Sequence, residues 1–316
     1  MDICDFITHL RRHGNSSATV ATYTAALNKF FVINDVTSLN WKKIKSFMGE
    51  NEKAAEDRPY THSEIQTLLQ HSSLRNRAMI LLMASAGLRV GALSLLRIKD
   101  LESIDMDDLK IYKVNVYAKS KKSSYFSFCT PEARAHISIY LDHRKRWGER
   151  LTDDSPLFRT DYNPQAADSL RAVKPISTGR IRRFIGKTLR DCGLRTVSLE
   201  GKSSQRFHIM ANHGFRKFFE TNAFRAGMDH MYLRRLMGQQ SGLEDSYLKL
   251  SEEELLEGDS KHVGYIGIID QLTIDDSNKL RREIQTLRVE KSNWQALRQE
   301  LDELKEMMFN PKTKPK

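Results

Sequence analysis

Residues 78–89 read AMILLMASAGLR and form the centre of the predicted fold. The run up to Leu88 is the longest apolar stretch of the chain, and it predicts a buried helix that ends near Gly87, the residue type that a left-handed C-cap favours. A second helix is expected from about Val90. Arg89 therefore stands at the start of that helix, where its side chain need not be buried. Because a bilayer span requires roughly 20 apolar residues, we expect no membrane-spanning segment.

A β-hairpin is predicted downstream of these two helices. Tyr112, Val114 and Val116 alternate with polar residues, as do Phe126 and Phe128, which is typical of paired strands. The tip between the two strands carries three lysines: Lys119, Lys121 and Lys122. Further helices are predicted over residues 132–147, 178–192, 213–226, 229–237 and 244–256. The predicted fold class is mainly α, with a small antiparallel β-hairpin or sheet.

The composition divides the chain into four parts. Residues 1–50 predict a small helical domain, in which Ser17 is the expected N-cap of the second helix. Residues 51–59 are polar, end in proline and are interpreted as a linker. Residues 60–257 form the main domain, and residues 258–316 form a C-terminal extension.

The extension contains an apolar stripe at three- and four-residue steps, which predicts an amphipathic, coiled-coil-like helix over residues 278–308. Its members are Leu280, Ile284, Leu287, Trp294, Leu297, Leu301, Leu304 and Met308. Such a helix can contact another subunit or pack on its own domain, and the sequence leaves both alternatives open.

The distribution of charge indicates a polyanionic partner. The 316 residues contain 51 Lys and Arg against 40 Asp and Glu, a net charge of +11. Residues 171–235 contain fifteen basic and four acidic residues, an excess equal to that whole net charge, whereas residues 251–308 are acidic. Nucleic acid is the first candidate for such a partner, and a merely solvated charged surface is the alternative.

The cysteines and the N-terminus bear on the compartment. The three cysteines, Cys4, Cys129 and Cys192, include no close pair, which excludes a disulfide framework and favours a reducing compartment. The first residues lack the basic and apolar regions of a secretory signal. We therefore expect a cytoplasmic, nucleoid-associated protein.

Four features whose side chains can bind a phosphate or transfer a proton follow one another along the chain. Arg89 comes first, and the lysine-rich hairpin tip follows it. His213 and Arg216, three residues apart, share one helical face and can act on the same group. Tyr247 follows the Gly238 break. Each alone is an ordinary surface residue, but their joint order favours a functional site.

This ordered set resembles the tyrosine recombinase (lambda-integrase-like) family over roughly residues 58–256. Within that family, its motifs are most similar to those of archaeal integrases. The matching segments are Ala84-Ser85-Ala86-Gly87-Leu88-Arg89, the hairpin lysine, His213-Gly214-Phe215-Arg216, Leu236-Met237-Gly238-Gln239 and Asp245-Ser246-Tyr247. The resemblance implies a two-domain clamp around double-stranded DNA and a homotetramer on two DNA sites. In that assembly the segment after Tyr247 packs against a neighbour, and an accessory DNA-bending protein is a further expected partner.

The resemblance also implies roles for residues. The Tyr247 hydroxyl attacks a DNA phosphodiester, and Arg89 and Arg216 bind the phosphate oxygens. A hairpin lysine protonates the leaving 5′ oxygen; Lys122 is favoured, with Lys119 and Lys121 left open. His213 contacts the phosphate and helps to move the tyrosine proton. Neither a metal nor a cofactor is expected.

Gln239 departs from the family pattern, which usually has histidine or tryptophan at this position. Glutamine can donate a hydrogen bond but cannot transfer a proton. The main hypothesis is a site-specific recombinase or integrase of a mobile element. The alternatives are a DNA-binding regulator with weakened activity and a type IB topoisomerase.

Overall fold

The computed structural model describes residues 2–36, 38–49, 57–106, 109–120, 123–161, 173–195, 209–239, 251–252, 254–256 and 267. Several predicted features lie outside these residues. They are Lys121, Lys122, the helix around Tyr247 and the amphipathic helix over residues 278–308.

The N-terminal part consists of α1 (Ile3–Arg12), α2 (Ser17–Ile33) and α3 (Trp41–Ser46). Ser16, and not Ser17 as predicted, caps α2, because its side chain accepts a hydrogen bond from the Thr19 amide. The buried core of these helices is small and contains Ile7, Val20 and Ile44.

The main domain begins with α4 (His62–Gln70), α5 (Leu74–Ala86) and α6 (Val90–Leu93), followed by a 3₁₀ turn (Ile98–Asp100). All residues of α5 from Ala78 onward are buried. Gly87 ends the helix in the left-handed conformation, at φ 57°. The predicted buried helix and its glycine C-cap are therefore confirmed.

A three-stranded antiparallel sheet follows, with the order β1 (Leu101–Met106), β2 (Leu109–Val116) and β3 (Tyr125–Cys129). The predicted hairpin corresponds to β2 and β3, whose register pairs Val116 with Tyr125. The sequence did not predict β1, because its residues LESIDM lack a regular apolar alternation.

The remaining helices are α7 (Pro131–Arg146), α8 (Thr178–Asp191), α9 (His213–Arg225) and α10 (His230–Leu236). Each end lies within one residue of its predicted position. Helix α5 forms the centre of the main core and contacts α4, α7, α9 and β3. Among the described residues, no helix is long and apolar enough to cross a membrane.

Candidate active site

The turn after α5 presents Arg89 at the surface. Ser127 in β3 donates a hydrogen bond of 2.9 Å to the carbonyl of Ala86, which attaches the end of α5 to the sheet. A Cβ at Gly87 would lie 2.6 Å from a ring carbon of Phe219, so glycine is required there by space as well as by φ. Arg89 is exposed, and its Nη1 donates to the carbonyl of Gly238 at 3.3 Å.

Arg216 is held much more rigidly than Arg89. It is 5% exposed, and it donates from Nη1 to the carbonyl of Gly87 at 2.7 Å and from Nη2 to that of Met237 at 2.6 Å. Burial, followed by repulsion from Arg89, lowers the pKa of Arg216 below its ordinary value. A guanidinium nevertheless stays charged at physiological pH. The two arginines therefore form a fixed pair of cations between the ends of α5 and α10.

His213 is the first residue of α9 and is exposed. It lines an open cleft of about 810 Å³ together with Arg89, Arg216 and Gln239. The structure thus brings four of the predicted site residues to one cleft, although they are distant in sequence. His213 stands at the N-terminus of α9, the positive end of the helix dipole, which favours an anion nearby.

Tyr60 supports the position of His213, and the sequence analysis did not select it. Its hydroxyl donates to the carbonyl of Ala211 at 2.8 Å, and its ring stacks on Phe215 with 4.4 Å between centroids. Burial is the main cause that raises the pKa of Tyr60, so the hydroxyl keeps its proton. A Cβ on Gly214 would lie 2.7 Å from the Tyr60 ring, which explains the glycine after the histidine. No local pattern singles out Tyr60 for this role, because its partners lie about 150 residues away in the chain.

Arg195 and Tyr125 were also missed. Arg195 donates from Nη2 to the carbonyl of Ile209 at 2.7 Å, and it lines the cleft beside His213. Tyr125 lies in a second cleft of about 1200 Å³, which shares Arg89 and Gln239 with the first. No local pattern distinguishes either residue, because both depend on contacts with distant parts of the chain.

Gln239 follows a helix C-cap that fixes its backbone. Gly238 adopts φ 59°, and the amides of Gly238 and Gln239 donate to the carbonyls of Arg235 and Arg234 at 2.9 and 2.8 Å. The Gln239 side chain lines both clefts. It can therefore donate a hydrogen bond to an anion there, without transferring a proton.

The hairpin tip borders the second cleft through Ala118, Ser123 and Ser124. Lys119 is exposed and contributes to a lowered pKa of Asp154, although the main cause is a hydrogen bond of 2.6 Å from Lys99. The expected role of a tip lysine as the acid, with Lys122 favoured over Lys119 and Lys121, stays a prediction.

Tyr247 lies outside the described residues, but the chain on each side of it meets the same cleft. Gln239 precedes it, and Leu255, which is 3% exposed, follows it; both line the second cleft. Glu252 forms an ion pair with Lys113 in β2. Leu255 and Leu256 therefore pack on the core of their own chain. The contact with a neighbour that is expected for the segment after Tyr247 stays a prediction.

Basic side chains extend from the clefts along α8. Its exposed face carries Arg180, Arg182, Arg183, Lys187 and Arg190. Arg182 lines the first cleft, and Arg234 and Arg235 line the second. No group of three His, Cys, Asp or Glu side chains that could hold a metal occurs within the described ranges. Cationic side chains thus dominate the site and its surroundings.

The fold and this cationic site agree with a match between residues 59–244 and the model of the phage integrase family. The chain belongs to that family. The match confirms the predicted family and the function class drawn from the motif order, a DNA strand transferase of site-specific recombination.

Individual relatives are distant. The chain is 22% identical over 269 residues to the tyrosine recombinase XerC of Leptospira interrogans (serovar copenhageni, strain Fiocruz L1-130). The aligned region covers 81% of this chain and 76% of the relative.

Among solved structures, XerH site-specific recombinase bound to palindromic difH in a post-cleavage complex has a TM-score of 0.56 at 16% identity, covering 88% of this chain and 72% of that one. The Tn1549 transposon integrase in complex with transposon right end DNA has a TM-score of 0.55 at 15% identity, covering 82% and 84%. These structures confirm the mostly helical fold with its small antiparallel sheet.

Proposed function

We propose that this protein cuts and rejoins duplex DNA at specific sites through a 3′-phosphotyrosyl bond to Tyr247. The observation that carries the proposal is the convergence of Arg89, His213, Arg216 and Gln239 on one cleft. Gln239 and Leu255, on either side of the segment that contains Tyr247, line a cleft together with Arg89.

The arginine pair provides a binding site for a phosphodiester. Arg216 uses two N–H groups for backbone carbonyls, and a guanidinium has five, so three remain for other acceptors. Arg89 is exposed and uses one N–H group for the Gly238 carbonyl, so its other donors can bind the same phosphate. Fixed donors of this kind stabilise the charge that develops on the non-bridging oxygens in the transition state.

The covalent step exchanges one phosphorus–oxygen bond for another. The Tyr247 oxygen bonds to phosphorus while the bond to the 5′ oxygen breaks, so the phosphate stays esterified and the strand can be rejoined. Free tyrosine has a pKa of about 10. His213 is the group available to take its proton, and the field of the arginines favours the phenolate.

The departing 5′ oxygen needs a proton. We propose that a lysine of the hairpin tip supplies it, and we favour Lys122 over Lys119 and Lys121. A lysine placed among other cations has a lowered pKa, which makes it a better acid. Positive charge from the arginines is sufficient in this scheme, so we propose that neither a metal nor a cofactor takes part.

Duplex DNA is the proposed partner, and the basic face of α8 is the proposed phosphate-binding surface. Its arginines are exposed, and Arg182 connects this face to the cleft. The XerH and Tn1549 integrase structures contain DNA. We further propose a two-domain clamp, with residues 1–50 as a helical DNA-binding domain and residues 60–257 as the catalytic domain. A tetramer on paired sites, helped by a DNA-bending protein at the nucleoid, completes the proposal.

The test uses a library of duplexes that carry a nick near randomised sequence. Cleavage beside the nick releases a short fragment and traps the protein on the DNA, so the covalent complex survives denaturation. We expect an adduct with the wild-type chain and none with Tyr247→Phe. Tyr112→Phe is the matched control, because Tyr112 lies in β2 and lines neither cleft. Sequencing the trapped DNA identifies the target.

Each outcome is informative. An adduct that persists in Tyr247→Phe would show that the nucleophile is another residue. Sequence-specific binding without any adduct in the wild-type chain would instead support the DNA-binding regulator. Adducts at arbitrary sequences, together with relaxation of supercoiled plasmid, would support a topoisomerase.

A further inference from the structure

Tyr125 is a partly buried residue that lines the second cleft together with Arg89, and the mechanism above does not use it. It is the first residue of β3 and directly follows the hairpin tip. Its ring lies against the backbone of Gly238, where an added Cβ would be 2.5 Å from Cε1 and 2.7 Å from Cγ. Tyr125 therefore contacts the turn that leads into Gln239.

The Tyr125 hydroxyl is polar, buried and close to positive charge. Within the part of the chain that the structure describes, no group meets both the distance and the angle of a hydrogen bond to this hydroxyl. Burial is the main cause that raises the pKa of Tyr125, while Arg216 and Arg89 oppose the rise. Because the net direction is upward, the phenol stays neutral at physiological pH. The Arg216 guanidinium is close enough to act on this hydroxyl as a hydrogen-bond donor, and completing that bond would satisfy a buried polar group.

Arg216 has donors to spare for this hydroxyl. Its two strong hydrogen bonds, to Gly87 and Met237, both run to backbone carbonyls. These bonds come from two different nitrogens and hold the guanidinium in place, and a third acceptor would further restrict its rotation. The plane of the guanidinium matters, because bidentate binding of a phosphate requires two parallel N–H groups.

We propose that Tyr125 is a positioning residue for the arginine pair. In the DNA-bound protein its hydroxyl oxygen accepts a hydrogen bond from Arg216, and its ring supports Gly238, whose carbonyl accepts from Arg89. The inference rests on the proposed function, since the orientation of the arginines matters only if they bind a phosphate.

The location of Tyr125 also connects the arginines to the lysine-bearing tip. Tyr125 pairs with Val116 across the base of the tip, and its ring also touches Gly238. Fixing Arg216 through Tyr125 therefore also fixes the base of the hairpin.

Tyr125→Phe removes one oxygen and keeps the ring, so it separates the two contributions. The substrate is the nicked duplex that the wild-type chain cleaves, with protein in excess over DNA. We expect cleavage at saturation to be roughly tenfold slower, because a hydrogen bond to a charged group is lost. The dissociation constant for DNA should stay within about twofold, because Tyr125 does not itself contact the phosphate. Tyr117→Phe is the matched control: its ring lies 6.2 Å from that of Tyr125 in the same hairpin.

A spectroscopic measurement separates positioning from packing. The guanidinium N–H signals of Arg216 in the DNA complex, assigned by their loss in Arg216→Lys, should be sharp in the wild-type chain. They should broaden in Tyr125→Phe, because rotation of the guanidinium is less restricted.

Unchanged cleavage, or unchanged Arg216 signals, would overturn the positioning role. A parallel loss of DNA affinity and cleavage would also overturn it, in favour of a contact with DNA or a packing effect. If the wild-type chain forms no adduct at all, the proposed function fails instead, so the two failures are distinguishable.

Discussion

Arg216 donates a hydrogen bond of 2.7 Å to the carbonyl of Gly87, the residue that ends the buried helix α5. A second bond of 2.6 Å to Met237 reaches the end of α10. Arg216 therefore stabilises the fold and the site together. Arg89, exposed and with one bond of 3.3 Å to Gly238, contributes mainly to the site.

The two arginines should differ in their effect on stability. Arg216→Lys is expected to lower the free energy of unfolding by about 2 kcal/mol, because an ammonium cannot satisfy both buried carbonyls. Arg89→Lys should change it by less than about 0.5 kcal/mol. Both changes should slow DNA cleavage by about a hundredfold or more, since each removes a donor to the phosphate. Urea unfolding and the cleavage assay measure the two quantities, and equal losses of stability would contradict the distinction.

Gly87→Ala should destabilise the protein by about 3 kcal/mol. Roughly 1 kcal/mol comes from the left-handed backbone and the rest from the contact with Phe219. Gly193→Ala is the matched control, because Gly193 has φ 71° and no atom within 4 Å of an added Cβ. That change should cost only about 1 kcal/mol. Thermal or urea unfolding decides the matter, and similar costs at both positions would show that Phe219 moves aside.

Glu149 should make stability sensitive to acid. It is buried and accepts hydrogen bonds from Arg144 at 2.5 Å and from Arg159 at 2.7 Å. Burial would raise the pKa of Glu149, but these hydrogen bonds outweigh it, and the net direction is downward. The stabilisation is therefore complete above the unfolded pKa of about 4.3 and is lost as the pH falls through the lower folded value.

Glu149→Gln tests this linkage. We expect it to cost about 3 kcal/mol at pH 7, because two buried guanidinium groups lose their counter-charge. The variant should also lose stability less steeply than the wild-type chain as the pH falls below about 4.3. Urea unfolding at several pH values measures both effects. Parallel pH curves for the two proteins would refute the assignment of this acid sensitivity to Glu149.

Gln239 offers a gain-of-function experiment. Gln239→His places a titratable group in the cleft, and histidine has an ordinary pKa of about 6.5. The cleavage rate should then acquire a new dependence on pH between about 5.5 and 7.5. Gln239→Ala should be slower than wild type by roughly tenfold, because a donor to the phosphate is lost. A wild-type rate in Gln239→Ala would show that the glutamine does not contact the DNA.

Much of the fold follows from local sequence. The buried helix before Gly87 and the ends of α7 to α10 depend on apolar periodicity and capping residues, and they lie where the sequence predicts them. Strand β1 does not follow from the local sequence. It has no strong apolar pattern of its own, and its pairing with β2 stabilises it.

The site was predictable to a similar degree. Motif order selected Arg89, His213 and Arg216, which the structure places in one cleft. The residues that support them could not be found in this way. Tyr60 and Tyr125 act on segments far away in the chain, and their importance depends on tertiary packing that no short pattern encodes.

In the proposed clamp around DNA, the small core of the N-terminal helices has a consequence for the thermodynamics of binding. Ile7, Val20 and Ile44 are its buried residues, whereas Phe30 and Ile33 at the end of α2 are largely exposed. So few buried apolar groups give these helices little stability of their own. Part of their ordering should therefore occur on association. That would appear as a large negative heat-capacity change and as an entropic cost that weakens the complex on warming.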